Sequence, residues 1–314
     1  MEGRRYSIGV RNHSGVLRLM AGAAICCAVL LGGCGTGVPV VVTPPVAPAS
    51  KIAGNWLLFG AFPKAVESPT TQPGMAISFD AVGNNLVASA AISTTCGAMG
   101  LSFGARFGAA VTGTVASDGS FTVSSLNPGG TTNITTLSVS GNVPTTAGAS
   151  WSGTYALVAS EPGCSFSQTG LFTATAVQDV NGTYAGTGTV LVASGTAIPA
   201  NTPVTVSVAL QQGAPLYTPF GTTTSSRVGL KGSIQISGFS CFSKGNSSTS
   251  AASEVVGGPL SANFVMDDGS TLMMVGSIDD VATSRLDVDF FQVNGGSCSG
   301  FYSFGINPMV VQRQ

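Results

Sequence analysis

The chain has 314 residues, of which 44% are apolar and only 8% are charged, and its 12 lysines and arginines nearly balance its 13 acidic residues. The apolar fraction argues against a disordered chain, and the absence of a basic cluster argues against a nucleic acid partner. The only histidine, His13, lies in the N-terminal segment. The rest of the chain therefore lacks the imidazole of Ser-His-Asp triads, histidine general bases and the usual zinc and copper sites, and we expect no cofactor.

The N-terminal segment has the parts of a bacterial export signal. An uncharged, mostly apolar run at residues 19–31 follows four arginines: Arg4, Arg5, Arg11 and Arg18. The run is too short to span a membrane, which takes about 20 apolar residues, and small residues follow it, as at a signal cleavage site. The sequence Leu31-Gly32-Gly33-Cys34 resembles the lipobox of bacterial lipoproteins. We therefore predict that residues 1–33 are a signal peptide and that Cys34 is lipidated.

The lipobox resemblance implies that acyl chains on Cys34 hold the protein to a membrane. Each buried methylene contributes about 0.8 kcal/mol, so that two or three chains make a stable anchor. Gly35 follows the cysteine, where lipoproteins retained at the inner membrane tend to have Asp, so the outer membrane is expected. Residues 34–50 contain four prolines and no charge. They predict an extended tether that reaches roughly 50 Å from the membrane.

Beyond residue 50 the apolar residues follow a period of two. Trp151, Gly153, Tyr155 and Leu157 alternate with Ser, Thr and Ala, and similar alternation occurs at residues 286–290. Such alternation buries one face of an antiparallel sheet, and turns rich in Gly, Asn and Asp separate the segments. No amphipathic helix is expected after residue 50. We predict an all-β protein with two tandem antiparallel β-sandwich or small-barrel domains, each of roughly seven or eight short strands.

The two domains are predicted from an internal duplication. The matching features are residues 92–96 with 236–241, residues 137–143 with 272–278, and Cys164 with Cys298. Cys164 and Cys298 each lie in a turn of small residues that leads to an aromatic strand. A boundary near Gln178 then gives β domains at residues 51–178 and 179–314.

Four cysteines remain once Cys26 and Cys27 leave with the signal and Cys34 is lipidated. An even number in an exported protein suggests disulfides, and four cysteines allow three pairings. A redox or metal site is disfavoured, because no CxxC spacing is present. The duplication selects one pairing: Cys96 with Cys164, and Cys241 with Cys298.

Two further resemblances concern the architecture. Gly54-Asn55-Trp56 resembles the G-x-W opening of lipocalins and of avidin-like barrels, in which the tryptophan closes one end of a barrel around a small apolar ligand. Taken alone, Trp56 reads as an ordinary core aromatic. The whole pattern also resembles tandem β-repeat lipoproteins of bacterial envelopes, through Gly153-Thr154-Tyr155, Cys164 and Gly170-Leu171-Phe172. That group has no known activity, so the resemblance implies architecture and location only.

Acidic residues concentrate in the second half: Asp267, Asp268, Asp279, Asp280, Asp287 and Asp289. Clustered carboxylates bind Ca²⁺, but no EF-hand spacing is present, and the sequence leaves calcium binding open. We interpret Asp287 and Asp289 as the solvated face of a strand. Paired carboxylates also perform glycoside hydrolysis. The only glutamates outside the signal, Glu67, Glu161 and Glu254, are predicted to lie in loops without a visible partner.

Together these observations predict a membrane-anchored envelope lipoprotein with a non-enzymatic structural or binding role. Its expected partners are the membrane and an envelope protein, a glycan or a small apolar ligand. Two alternatives stay open. A calycin-like carrier of a small hydrophobic ligand needs an apolar pocket of about 300 Å³ or more. A carboxylate-dependent glycoside hydrolase needs two carboxyl groups about 5 to 10 Å apart.

Overall fold

The computed structural model describes most of the chain beyond residue 48. The described residues are 49–62, 73–94, 105–125, 134–161, 164–195, 198–220, 223–248, 253–278, 280–305 and 307–314. They form β-strands and turns, preceded by a short 3-10 helix, η1 (Ala49–Ile52). In this part of the chain, no helix is long and apolar enough to cross a membrane. The predicted signal peptide, Cys34 and nearly all of the tether lie outside the described residues.

The first half of the chain forms a closed barrel. Its strands are β1 (Gly54–Gly60), β2 (Met75–Val82), β3 (Asn85–Thr94), β4 (Ala105–Val115), β5 (Ser120–Ser124), β6 (Ile134–Asn142), β7 (Trp151–Glu161) and β8 (Cys164–Ala176). Each strand pairs antiparallel with the next one along the chain, and β8 returns to pair with β1. Closure leaves no open sheet edge in this barrel.

The second half forms a similar circuit with two branches. Its strands are β9 (Gly182–Val190), β10 (Val192–Ala193), β11 (Thr202–Phe220), β12 (Thr223–Ser237), β13 (Lys244–Ser247), β14 (Glu254–Val255), β15 (Pro259–Met266), β16 (Thr271–Ser277), β17 (Arg285–Asn294), β18 (Gly300–Ser303) and β19 (Met309–Arg313). The circuit β9-β11-β12-β13-β15-β16-β17-β19 closes because β19 pairs with both β17 and β9. The predicted fold class, all-β with two tandem antiparallel domains, is therefore confirmed, and both domains are barrels.

Inside the first barrel, aromatic side chains face glycines on the paired strands. Phe172 lies opposite Gly60 and Gly153, and Tyr155 lies opposite Gly170. A Cβ atom on Gly153 would come within 2.8 Å of the Phe172 ring, and one on Gly170 within 2.7 Å of the Tyr155 ring. Glycine at these positions therefore makes room for large rings in a narrow barrel.

Trp151 lies at the centre of this aromatic packing. Four rings surround it at centroid distances of 5.1 to 6.2 Å, and all are nearly perpendicular to it: Trp56, Phe79, Phe121 and Phe172. Edge-to-face contacts of this kind are favourable for aromatic pairs. The described rings of the first barrel thus meet one another across its interior.

The 3-10 helix η1 packs into the core of the first barrel. Ala49 and Ile52 are buried with Trp56, whose Nε1 donates a hydrogen bond of 2.7 Å to the carbonyl oxygen of Ile52. Trp56 is therefore a core aromatic, as its sequence position alone indicated. The resemblance to lipocalins stays a prediction.

The second barrel contacts the outside of the first one. Leu57 and Ala76 alternate with inward residues of β1 and β2, and both belong to the hydrophobic core of the second barrel. The turn that contains Gly257 lies against them. Asn55 Oδ1 accepts a hydrogen bond of 3.0 Å from Gly257 N, and a Cβ atom on Gly257 would come within 2.5 Å of Ala76 Cβ. Apolar packing and a polar contact thus join the two barrels.

Candidate functional site: a hydroxyl-lined face of the first barrel

Small polar side chains cover the outside of β4 to β7. Strand pairing aligns four of them in one row, because Thr114 lies opposite Thr122, Thr122 opposite Ser140, and Ser140 opposite Thr154. Ser120, Asn142 and Ser152 lie beside this row and line the same groove. We call these seven residues the hydroxyl face. Threonine suits the exposed side of a strand because its branched side chain packs well on a pleated surface.

The hydroxyl face lines a shallow groove of about 510 Å³ that is open to solvent. Its floor includes a hydrogen bond of 2.8 Å between Thr122 Oγ1 and Ser140 Oγ. A hydroxyl group has one donor hydrogen and two acceptor lone pairs, so each of these two groups keeps hydrogen-bonding capacity for a ligand. None of the residues that line the groove is charged.

The two ends of the hydroxyl face differ in character. At the end formed by β4 and β5, Asp118 lies in the turn between the two strands, and its Oδ1 accepts hydrogen bonds from the hydroxyl and the backbone N–H of Ser120. The Ser120 hydroxyl and then its backbone N–H lower the pKa of the Asp118 carboxyl. At the other end, the row continues from Thr154 to Leu171 on β8, whose side chain is 74% exposed. A second groove segment of about 510 Å³ follows there, lined by Phe59 and Leu171 as well as by Ser152 and Thr154.

The second barrel has a smaller groove of about 380 Å³ between β11, β12 and β13. Thr205, Ser207 and Gln235 line it, but Lys244 adds a positive charge. On the outside of this barrel, Thr187 Oγ1 and Thr205 Oγ1 form a cross-strand hydroxyl pair at 3.2 Å. This pair is similar to the pair in the hydroxyl face and provides a matched control for experiments.

Three aspartates of the second half accept hydrogen bonds from nearby serines. Asp267 accepts hydrogen bonds from the backbone N–H and the hydroxyl of Ser243, which together lower the pKa of its carboxyl, the backbone N–H more strongly. Asp268 pairs in the same way with Ser270, and Asp280 with Ser284. Among the described residues, no three acids, histidines or cysteines are grouped so as to hold a metal ion. Asp279 lies outside the described residues.

Asp287 corrects the interpretation of residues 286–290 as a strand with a solvated acidic face. It alternates with the core residues Leu286 and Val288, but it is itself only 5% exposed. Arg285 covers it with two hydrogen bonds, from Nε to Oδ1 at 2.7 Å and from Nη2 to Oδ2 at 2.5 Å. Strand β17 also pairs on both sides at this position, with β16 and β19. The acid is buried because it lies within the sheet and has a forked cationic partner.

The structure bears on one of the two predicted disulfides. Cys241 and Cys298 are bonded, with their Cα atoms 6.0 Å apart, which confirms this pair. Cys96 lies outside the described residues, and the side chain of Cys164 is not described. The Cys96–Cys164 pair therefore stays a prediction, as does lipidation of Cys34.

Of the three glutamates considered for carboxylate catalysis, Glu161 and Glu254 lie in strands and not in the predicted loops. Glu254 starts the short strand β14, whereas Glu67 lies outside the described residues and the side chain of Glu161 is not described. The carrier and hydrolase alternatives stay predictions. The hydroxyl face itself was missed by the sequence reasoning. The sequence does show Ser and Thr alternating along several strands, but only the strand register aligns those residues in a row.

A scan against protein-family models and searches of curated proteins and solved structures found no match to this chain.

Proposed function

We propose that this chain is a lipid-anchored protein of the bacterial envelope with a non-enzymatic binding role, and that the hydroxyl face is its contact surface. The observation that carries the proposal is the row of aligned, uncharged hydroxyl groups across four strands. Charged residues usually supply the solubility of a protein surface, at about 25 to 35% of its residues. Here only 8% of all residues are charged, and neutral hydroxyl groups cover this face instead.

Two of the described acids are unsuited to act as general acids, which fits a non-enzymatic role. A carboxyl group that acts as a general acid near neutral pH needs a raised pKa. The pKa values of Asp118 and Asp267 are instead lowered by serine hydrogen bonds, so both stay ionised. The purified protein should show no turnover of glycosides, esters or peptides. Turnover of any of these three substrate classes would contradict this expectation.

The membrane anchor rests on the lipobox resemblance and is tested by cell fractionation. Cys34→Ser should move the protein from the membrane to the soluble fraction, because it removes the sulfur that the acyl chains need. Cys27→Ser changes a cysteine in the predicted signal and should leave the protein bound to the membrane. If the Cys34→Ser protein stays bound after salt and carbonate washes, the anchor lies elsewhere.

The binding role of the hydroxyl face is tested with the same Cys34→Ser protein, which lacks its anchor. We expect it to sediment with washed envelopes of the host cell. Adding Thr122→Val and Ser140→Ala removes the hydroxyl pair of the face and should reduce this sedimentation. Adding Thr187→Val and Thr205→Val removes the matched pair of the second barrel and should not. Equal behaviour of the two double variants would refute the assignment of the binding surface.

A further inference from the structure

We infer that the hydroxyl face binds a neutral polysaccharide chain, an inference that rests on its proposed binding role. The first argument is charge. Serine, threonine and asparagine supply all the side-chain polar groups of the groove, and the nearby carboxylate of Asp118 is held by Ser120. A polyanion would need lysine and arginine partners, which the groove lacks, and a cationic partner would need free carboxylates. An uncharged partner rich in hydrogen-bonding groups suits this surface.

The second argument is the match of hydrogen-bonding groups. A sugar hydroxyl, like that of serine or threonine, both donates and accepts hydrogen bonds. The row of Thr114, Thr122, Ser140 and Thr154 therefore accepts a neighbouring hydroxyl in either orientation. Fixed donors alone, such as lysines, would not offer this freedom.

The third argument is shape. Neighbouring strands lie about 4.8 Å apart, so the row from Thr114 to Leu171 extends across five strands for about 19 Å. The groove is shallow and open along this distance, and its two segments share Ser152, Gly153 and Thr154. Pockets for small molecules enclose most of the ligand surface. An open, elongated groove is instead suited to a polymer that makes a few contacts at each of several successive units.

The apolar end of the groove supports the same occupant. Leu171 is one of the most exposed large apolar residues of the described chain, and Phe59 lines the groove with it. A sugar ring combines hydroxyl groups at its edge with C–H groups on its faces. Both parts of the groove, hydroxyl and apolar, therefore have a counterpart on a neutral polysaccharide.

The test is native affinity electrophoresis of the Cys34→Ser protein in gels that contain one polymer each. The neutral polymers are galactomannan, soluble starch and dextran, and the anionic comparator is alginate. We expect at least one neutral polymer to retard the protein, with little effect of salt, because no charged groups pair. Thr122→Val with Ser140→Ala should weaken this binding about thirtyfold, the effect of losing two ordinary hydrogen bonds. The control variant, Thr187→Val with Thr205→Val, should bind normally.

Three results would overturn the inference. They are no retardation by any of the three neutral polymers, retardation by alginate alone, and equal weakening by the two double variants. The envelope sedimentation assay separates this inference from the proposed function. If sedimentation depends on Thr122 and Ser140 while no neutral polymer binds, the hydroxyl face is a binding surface for another class of partner.

Discussion

Replacing Gly257 by alanine tests the contact between the two barrels. Gly257 has φ +64°, a conformation that costs a residue with a Cβ atom about 1 to 2 kcal/mol. The added Cβ atom would also lie 2.5 Å from Ala76 Cβ and 2.7 Å from the backbone nitrogen of Ile77. Backbone cannot move aside as cheaply as a flexible side chain, and overpacking of this kind costs about 1 to 3 kcal/mol. The expected loss in the free energy of unfolding is therefore about 2 to 5 kcal/mol.

Gly83 provides the matched control for this substitution. It lies in the turn between β2 and β3 with φ +61°, and among the described residues no atom beyond its chain neighbours lies within 4 Å of the position that its Cβ atom would take. Gly83→Ala should therefore cost only the conformational part, about 1 to 2 kcal/mol. The difference between the two variants measures the steric contact of the Gly257 turn with the first barrel.

The assay is urea unfolding of the Cys34→Ser protein, followed by circular dichroism for both barrels and by tryptophan fluorescence for the first barrel. Trp56 and Trp151 both lie in the core of the first barrel, so the signal reports its unfolding. Combining Gly257→Ala with Ala76→Gly removes one of the two overlapping groups and should recover part of the loss, as a double-mutant cycle would show. The reasoning is refuted if Gly257→Ala costs no more than Gly83→Ala, or if Ala76→Gly gives no recovery.

Three further predictions concern other parts of the molecule. Replacing both Cys241 and Cys298 by alanine should lower the free energy of unfolding by about 4 kcal/mol. This is the chain-entropy value for a disulfide that joins residues 57 positions apart. An unchanged urea midpoint would contradict this prediction. Ser78→Ala should stabilise the protein by about 1 kcal/mol, because the buried Ser78 Oγ has no hydrogen-bond partner among the described residues; a loss of stability would mean that the hydroxyl has a partner. Asp267 has a lowered pKa when folded, so its contribution to stability should be present above its ordinary pKa of 3.8 and be lost as the pH falls through the lower folded value. Asp267→Asn should remove this part of the acid dependence of the urea midpoint, and identical acid profiles for the variant and the parent would refute the assignment.

The strands and their class could be predicted from the sequence because they depend on local pattern. Alternation at Trp151, Gly153, Tyr155 and Leu157 marks the inward side of β7 wherever its partners lie. The pairing of Cys241 with Cys298 was also predicted, because the duplication restricted the possible partners. Closure into barrels could not be predicted, since it depends on pairing between strands far apart in the chain, such as β1 with β8.

The candidate site shows the same division. Alternation alone indicates that Thr122, Ser140 and Thr154 lie on the outside of their strands. Their alignment in one row depends on the register of consecutive strand pairs, and a shift of one residue would turn a whole strand over. Asp287 was misjudged for a related reason: its position in the pattern indicates an outward side chain, but its burial depends on Arg285 and on the strands that flank β17.

The sequence by itself determined the all-β composition, the tandem arrangement and the absence of imidazole beyond His13, because these depend on residue types and their spacing. Only the tertiary structure decided that the sheets close and that the hydroxyl groups form a continuous face. It also decided that Leu57 and Ala76, which lie on strands of the first barrel, pack in the core of the second. The physical reason is that the period of two assigns each side chain to one side of a strand. Which surface lies on that side is decided by the register and packing of the neighbouring strands.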